Sequence, residues 1–105
     1  MQQEKTVKVV IAIVRPNKLD YVTSALRRGG ISGATVTQAK GFGEETAVSD
    51  WDMSGELTEK VKIEIVLDDD DCDRVVELIK KTIGTGKAGA GFIYVQDVVA
   101  KHTHW

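Results

Sequence analysis

A glycine-rich segment near the C-terminus is the part of the sequence best suited to bind a phosphorylated ligand. Between Gly84 and Gly91 every second or third residue is glycine, and Lys87 lies in the middle. Glycines leave backbone N–H groups accessible, so such a segment can surround phosphates with main-chain donors and one cation. It is not a Walker loop, because no Ser or Thr follows the lysine and a strand pattern comes next. A flexible turn is an equally good interpretation of the glycines alone.

The remaining reactive side chains indicate structural roles more than catalysis. His102 and His104 could bind a metal from one side of an extended tail, although histidines on a polar terminus are more commonly solvated. Asp68 to Asp71 precede a helix, where carboxylates complement the helix dipole. Cys72 falls on the apolar side of that helix and is predicted to be buried. No Ser-His-Asp or Cys-His arrangement is apparent, so the sequence favours a protein that is not an enzyme.

Size, charge and cysteine content narrow the class of protein. The chain has 105 residues, the length of a single domain spanning 1–105. Fourteen basic and sixteen acidic residues give a net charge of -2, without the basic coat of a dedicated nucleic-acid binder. One cysteine excludes an internal disulfide framework, and the first apolar stretch is too short for a signal sequence. These features predict a cytoplasmic protein.

Hydrophobic patterning predicts the order of strands and helices. The apolar run Val7 to Val14 is typical of a central strand buried on both faces. A helix follows, with Asn17 as its N-cap and Gly29-Gly30 at its end. Period-two alternation predicts a half-buried strand over Ala34 to Lys40. A long loop, Gly41 to Glu59, has neither period, and a connection of that length is usually functional.

The second half repeats the pattern of the first. Strand three directs alternate apolar residues to one face: Val61, Ile63, Ile65 and Leu67. A second helix and a strand over Phe92 to Val95 complete a βαββαβ order. This order predicts an α+β, ferredoxin-like sandwich, a four-stranded antiparallel sheet with two helices on one face. We expect the other face to be apolar and covered by identical subunits.

Four separated stretches resemble the successive signatures of the PII signal-transduction family. They are Arg15-Pro-Asn-Lys-Leu-Asp20, Gly33-Ala-Thr-Val-Thr37 with Lys40-Gly-Phe-Gly43, Lys60-Val-Lys-Ile-Glu-Ile-Val66, and Thr85-Gly-Lys-Ala-Gly-Ala-Gly91. Together they extend over nearly the whole chain. The resemblance implies a homotrimer with adenine nucleotides in the clefts between subunits. It also implies a T-loop, here about residues 41–59, that contacts a target protein.

The resemblance further implies which residues bind the nucleotide. Around the base and ribose it places Ile13, Gly33, Thr35, Gly41, Gly43, Glu64 and Val66. Along the phosphates it places Lys60, Thr85, Gly86, Lys87 and Gly89. Several have a plain alternative: Glu64 as a solvated strand residue, Ile13 and Val66 as core. We expect T-loop contacts with an effector or partner from Glu44, Glu45, Trp51 and Met53, although Trp51 and Met53 could equally pack back on the body.

Departures from the family pattern bear on the ligands. Glu44 and Glu45 stand where relatives have Arg-Gln, and that Gln helps to hold a magnesium-bound 2-oxoglutarate. Gly89-Ala90-Gly91-Phe92 replaces the usual Gly-Asp-Gly-Lys, so one phosphate cation is missing. Fewer cations favour ADP or AMP over ATP. Divergent PII-like proteins with such losses are associated with bicarbonate uptake and carboxysomes, which suggests bicarbonate as second effector and a transporter or an enzyme as target.

Two other functions remain as alternatives. One is a nitrogen-regulatory PII protein that responds to ATP and 2-oxoglutarate. The other is a ferredoxin-like module that binds a metal or a nucleic acid. A nucleic-acid module needs aromatic side chains on its sheet, but Phe42 and Phe92 flank loops. We therefore expect no nucleic-acid partner, no metal, and no cofactor other than the adenine nucleotide effector.

Overall fold

A computed structural model describes residues 6–42, 57–84 and 91–103. Its elements, in chain order, are β1 (Val7–Val14), a 3-10 turn (Pro16–Lys18), α1 (Leu19–Arg28), β2 (Thr35–Gly41), β3 (Thr58–Asp68), α2 (Asp69–Ile83) and β4 (Gly91–Val98). The four described strands form one antiparallel sheet in the order β2-β3-β1-β4. Each helix joins two strands that have a third strand between them, as in a split βαβ unit. The predicted ferredoxin-like fold is confirmed.

The core lies between the sheet and the two helices, on the side called here the helix face. Strand β1 is central, as its apolar sequence predicts, and directs Val10, Ala12 and Val14 into this core. From β3 come the predicted residues Val61, Ile63, Ile65 and Leu67. Helix α2 adds Cys72, Val75, Ile79 and Ile83. Burial raises the pKa of the Cys72 thiol, which therefore stays neutral within the core.

Helix α1 begins differently from the prediction. Asn17 is not its N-cap, because it lies inside the 3-10 turn that Pro16 begins, and α1 follows directly from Lys18 without a side-chain cap. Proline fixes φ near the value of a helical turn, so the chain turns before Asn17 can adopt the extended backbone of a cap. The glycines at the other end act as predicted: Gly30 has a φ of 85°, which glycine tolerates without strain.

Three strands extend beyond their predicted limits. Strand β2 ends at Gly41 and β3 begins at Thr58, so both ends of the predicted loop belong to a hairpin. Strand β4 pairs with β1 as far as Val98, three residues past the predicted end. Strand β2 is largely exposed and not half-buried. Strand β2 is an edge strand of the sheet, and α1 packs mainly against α2 instead of covering β2.

The face away from the helices, called here the open face, is only partly apolar. Strands β1 and β4 present mostly apolar side chains on it: Val7, Val9, Ile11, Ile13, Phe92, Tyr94 and Val98. Strands β2 and β3 present mostly polar ones: Thr35, Thr37, Lys60, Lys62 and Glu64. The apolar Val66 at the end of β3 is the exception. The prediction of an apolar face was therefore right for β1 and β4 and wrong for most of β2 and β3, because alternation along β3 directs its charges outward.

Ion pairs of Lys8 join the N-terminal end of β1 to β4 and to the start of α2. Lys8 Nζ lies 2.6 Å from Asp97 Oδ1 on β4 and 3.6 Å from Asp69 Oδ1 at the start of α2. The hydrogen bond with Asp97 raises the pKa of Lys8. The Asp69 backbone N–H also donates to the Thr6 carbonyl at 2.9 Å. Part of the acidic run is thus structural, as the sequence indicated.

Candidate functional site

The open face of the β2–β3 hairpin carries most of the described residues that the family resemblance assigned to the nucleotide. Thr35 on β2 pairs directly with Glu64 on β3, which in turn pairs with Ile11 on β1. Paired residues in an antiparallel sheet project on the same side with Cβ atoms about 5 Å apart. Val66 follows two residues after Glu64, so its side chain is on the same face, and it is 49% exposed. These three predicted residues therefore lie together.

The other described residues of the set lie further along the same face. Ile13 is two residues beyond Ile11 on β1, and Lys60 pairs with Ala39 near the far end of the hairpin. Gly41, at the end of β2, is six residues from Thr35, about 20 Å along an extended strand. The set therefore forms a long strip on the open face, called here the hairpin strip.

Charges of both signs lie on the hairpin strip. Lys62 Nζ is 3.6 Å from Glu64 Oε1, and both side chains are about one-third exposed, 36% and 38%. Lys60 is 3% exposed and is the one buried charged residue in the described part of the chain. Its burial next to the loop was not evident from the sequence, which indicates only a polar residue at the start of a strand. The strip can therefore offer a carboxylate acceptor, hydroxyls and cations to a polar ligand.

The base of the T-loop is closed by the hairpin. Gly41 pairs with Thr58, and the Thr58 hydroxyl donates a hydrogen bond to the Gly41 carbonyl at 2.9 Å. One position back, Lys40 Nζ lies 3.6 Å from Glu59 Oε1 on the opposite face. Phe42, which is 80% exposed, comes directly after β2. The two ends of the loop are thus held together beside the hairpin strip.

The remaining predicted site residues lie outside the described part of the chain. These are Gly43, Glu44, Glu45, Trp51 and Met53 of the T-loop, and Thr85, Gly86, Lys87 and Gly89 of the glycine-rich segment. His104 also lies outside it, whereas His102 is described and exposed. The assignment of these residues to a ligand therefore stays a prediction.

The described ends of the glycine-rich segment lie at the end of α2 and at the start of β4. Gly84, with a φ of 86°, ends α2, and Gly91, with a φ of 149°, begins β4. A Cβ on Gly91 would lie 3.0 Å from the Ile13 carbonyl oxygen and 3.0 Å from Ile83 Cδ1. Only glycine fits there without displacement. The segment thus returns to the sheet beside Ile13, at one edge of the residues assigned to the nucleotide.

A separate cleft lies between α1 and β2, on the helix face of the sheet. Its volume is about 250 Å³. Its lining residues are Thr23, Leu26, Arg27, Ile31, Ser32, Gly33, Ala34 and Val36. The structure thus places Gly33, which the family resemblance assigned to the nucleotide, at this cleft and not on the hairpin strip. No motif in the sequence indicated it, because the residues come from three segments and have no common spacing.

The described ranges contain neither a metal-ligand cluster nor a membrane-spanning helix. There, no group of three His, Cys, Asp or Glu side chains is close enough together to hold a metal ion. No helix among the described residues is long and apolar enough to cross a membrane. Neither finding adds a residue to the hairpin strip.

Comparison with known proteins agrees with the fold and the motifs. The sequence profile of the family described as nitrogen regulatory protein P-II matches residues 7–103. The chain therefore belongs to the PII family, whose members are regulatory signalling proteins, and the predicted resemblance is confirmed. Since the match includes both helices and all four described strands, it covers the whole fold and not a single motif.

Individual relatives agree with this assignment. Nitrogen regulatory protein P-II of Mesorhizobium japonicum is 41% identical over 95 residues, which is 87% of this chain and 85% of the relative. Nitrogen regulatory protein P-II 1 of Escherichia coli K12 is 45% identical over the same shares of the two chains. The crystal structure of Arabidopsis thaliana PII bound to citrate superposes with a TM-score of 0.73 at 36% identity. That superposition covers 90% of this chain and 79% of the plant chain.

Proposed function

We propose that this PII protein is a non-catalytic, cytoplasmic homotrimer that senses adenine nucleotides and binds ADP or AMP in preference to ATP. Bicarbonate is its second effector, and the T-loop carries the signal to a transporter or an enzyme. The observation that carries the proposal is the grouping of Thr35, Glu64 and Val66 on one exposed face. Family resemblance assigned these residues to the nucleotide independently of the fold.

The shape of the hairpin strip supports a site shared between subunits. Small-molecule sites are concave and enclose most of the ligand surface. One face of a sheet covers a nucleotide from one side only, so a nucleotide lying on the strip needs a second wall, which a neighbouring subunit supplies. Glu64 accepts hydrogen bonds from the ligand amine or hydroxyl groups, while Lys60 and Lys87 neutralise the phosphates.

The nucleotide preference follows from the charge near the phosphates. Phe92 replaces the lysine that relatives have at this position, and it lies on the open face with its ring centroid 5.6 Å from that of Tyr94. An apolar ring cannot compensate a phosphate, so each further phosphate is less well neutralised than in relatives. The penalty is largest for ATP and smallest for AMP.

Trimer formation is supported by the apolar half of the open face. Val66 and Phe92 are 49% and 48% exposed there. Val66 pairs with the partly exposed Val9, and Phe92 pairs with the partly exposed Ile13. Contiguous exposed apolar side chains of this kind mark a protein interface. We expect light scattering coupled to gel filtration to give three times the subunit mass. A monomer at micromolar concentration would contradict the shared site.

The second effector is proposed from the T-loop sequence. Glu44 and Glu45 repel a dianion such as 2-oxoglutarate, and their repulsion of a small monoanion held by backbone N–H groups is weaker. Trp51 and Met53 provide apolar side chains with which the loop docks on its target.

A second candidate has specific support from the relatives, which carry the name nitrogen regulatory protein. Under that alternative, ATP and 2-oxoglutarate bind together. Isothermal titration calorimetry with AMP, ADP, ATP, cyclic AMP, 2-oxoglutarate and bicarbonate separates the two functions. Tighter binding of AMP or ADP than ATP, with no effect of 2-oxoglutarate, supports the proposal. ATP binding that 2-oxoglutarate strengthens supports the alternative instead.

A further inference from the structure

We propose that the cleft between α1 and β2 binds a small monocarboxylate, with its carboxylate on Arg27 and Ser32 and its apolar part against Leu26, Ile31 and Val36. This site does not depend on the nucleotide function. Val36 belongs to the helix face, whereas its neighbour Thr35 belongs to the open face. The cleft is therefore on the opposite side of β2 from the hairpin strip.

The end of α1 holds the cleft in shape. The Ile31 N–H donates to the Leu26 carbonyl at 2.9 Å, and the Gly30 N–H donates to the Arg27 carbonyl at 3.1 Å. Together with the positive φ of Gly30, these bonds form a Schellman motif, which also packs the side chains of Ile31 and Leu26 side by side. Two of the apolar walls and the backbone of Arg27 are thus fixed before any ligand arrives.

The charge of the cleft selects an anion. No hydrogen bond or ion pair joins the Arg27 side chain to another residue in the described ranges. The Thr23 hydroxyl already donates to the Asp20 carbonyl, at 3.3 Å, which leaves the Ser32 hydroxyl as the neutral side-chain donor in the cleft. A guanidinium and a hydroxyl match the two oxygens of a carboxylate.

The surroundings of the helix end do not oppose an anion. A helix C-terminus carries a partial negative charge, but here the last carbonyls accept hydrogen bonds within the Schellman motif. Arg74 of α2 donates to the Gly29 carbonyl at 2.7 Å, and its positive charge is offset by Asp71, whose Oδ1 lies 3.4 Å from the same guanidinium. Because Arg27 is the one cation that lines the cleft in the described part of the chain, it matches one negative charge and not two.

The side chains that line the cleft determine which apolar group fits there. Leu26, Ile31 and Val36 are aliphatic, and Val36 is 42% exposed although it is on the core side of the sheet. A compact apolar group that covers Val36 removes this surface from water. A volume of about 250 Å³ is below the usual range for drug-sized ligands, so the ligand is small. Benzoate has the required chemistry and serves as the probe.

The chain offers a matched control for the test. Arg27 and Arg28 are adjacent, both are exposed in the last turn of α1, and both complement the helix dipole. Only Arg27 lines the cleft. Arg27→Gln and Arg28→Gln therefore remove the same charge from the same helix end, and they differ in whether the cleft loses its cation.

Proton–nitrogen NMR of the full-length protein tests the proposal by titration with benzoate and with neutral benzamide. We expect benzoate to shift the amide signals of Thr23 and of residues 31–34, and benzamide to bind about fivefold more weakly. We expect Arg27→Gln to bind benzoate about fivefold more weakly than the wild type, and Arg28→Gln to bind it as tightly as the wild type. An unshifted spectrum at millimolar benzoate would overturn the site. Equal binding of benzamide, or equal losses in the two variants, would overturn the assignment of the carboxylate to Arg27.

Discussion

Thr35 lies directly opposite Glu64 across the β2–β3 hairpin, and both side chains project from the open face. The relationship joins two signatures that are almost thirty positions apart in the sequence. The pairing places the Thr35 hydroxyl beside the Glu64 carboxylate, at the start of the edge strand β2 and next to exposed Val66. The geometry of this pair is the basis for locating the proposed nucleotide site on the hairpin strip.

Replacing Phe92 by lysine should restore the phosphate cation found in relatives. We expect Phe92→Lys to raise ATP affinity about tenfold with little change for AMP, because a charge-assisted hydrogen bond contributes about 1.5 kcal/mol. Val95→Lys is the matched control, since Val95 is on the same strand but on the helix face. Calorimetric titrations with both nucleotides measure the effect. Equal changes in the two variants would mean that Phe92 is not near the phosphates.

Removing Lys87 should weaken ADP binding. Lys87→Ala loses a cation from the glycine-rich segment, and we expect a cost of about 1.5 to 3 kcal/mol in ADP binding with the trimer intact. Lys81→Ala removes the same charge from the exposed end of α2 and serves as the control. Fluorescence or calorimetric titration gives both dissociation constants. An unchanged ADP affinity in Lys87→Ala would place the phosphates elsewhere.

Gly91 should be the least replaceable of the described glycines near the site. Gly91→Ala combines a φ of 149° with a Cβ 3.0 Å from the Ile13 carbonyl, and we expect a loss of about 2 kcal/mol in the free energy of unfolding. Gly41→Ala, where a Cβ meets no atom within 4 Å, is the control. Urea unfolding compares the two variants. Equal stabilities would contradict the close approach at Ile13.

The Lys8–Asp97 pair should make stability depend on alkaline pH. Because the pKa of Lys8 is raised in the folded state, its contribution is fully present below the ordinary value of 10.5 and is lost as the pH rises through the raised value. Asp97→Asn removes the main cause of the raised pKa. The difference in melting temperature between wild type and variant should therefore shrink as the pH rises through the raised pKa of Lys8. The Cys72 thiol weakens both proteins alike at high pH. A difference that stays constant up to about pH 12 would show that the charge of Lys8 contributes nothing to it.

Much of the fold could be predicted because its pattern is local. Alternation along β3 indicated its buried face, and those residues form part of the core. The apolar run of β1 indicated a central strand, and Val10, Ala12 and Val14 enter the core, whereas Val7, Val9 and Ile13 on the open face are only partly buried. The start of α1 was mispredicted because Pro16 begins a 3-10 turn, an effect that competes with the capping preference of Asn17. Family motifs indicated the residues of the hairpin strip, but which of them face each other across the two strands depends on strand register.

The α1–β2 cleft could not be predicted in the same way. It depends on the Schellman motif after α1 and on the position of β2 as an uncovered outer strand. Neither feature produces a hydrophobic period in the sequence that could have indicated it. Arg27 and Arg28 are equivalent in the sequence, and only the fold distinguishes the one that lines the cleft.

The central claim is that nucleotide and second effector act together on the T-loop. Its polar sequence offers little apolar area to offset the entropy of ordering, so we expect low amide protection over residues 41–59 in the free protein. The hairpin already joins the two ends of the loop through the Gly41–Thr58 pair. We expect a ligand bound beside Gly41 and Lys60 to add contacts for the loop residues and so to lower the remaining cost of ordering them.

Amide hydrogen exchange over residues 41–59 tests this claim most directly, measured with ADP alone, bicarbonate alone, ADP with bicarbonate, and ATP with 2-oxoglutarate. The account predicts the strongest protection with ADP and bicarbonate together, and no gain from 2-oxoglutarate. Equal exchange under all conditions would contradict the switch, and protection that requires 2-oxoglutarate would contradict the proposed effector.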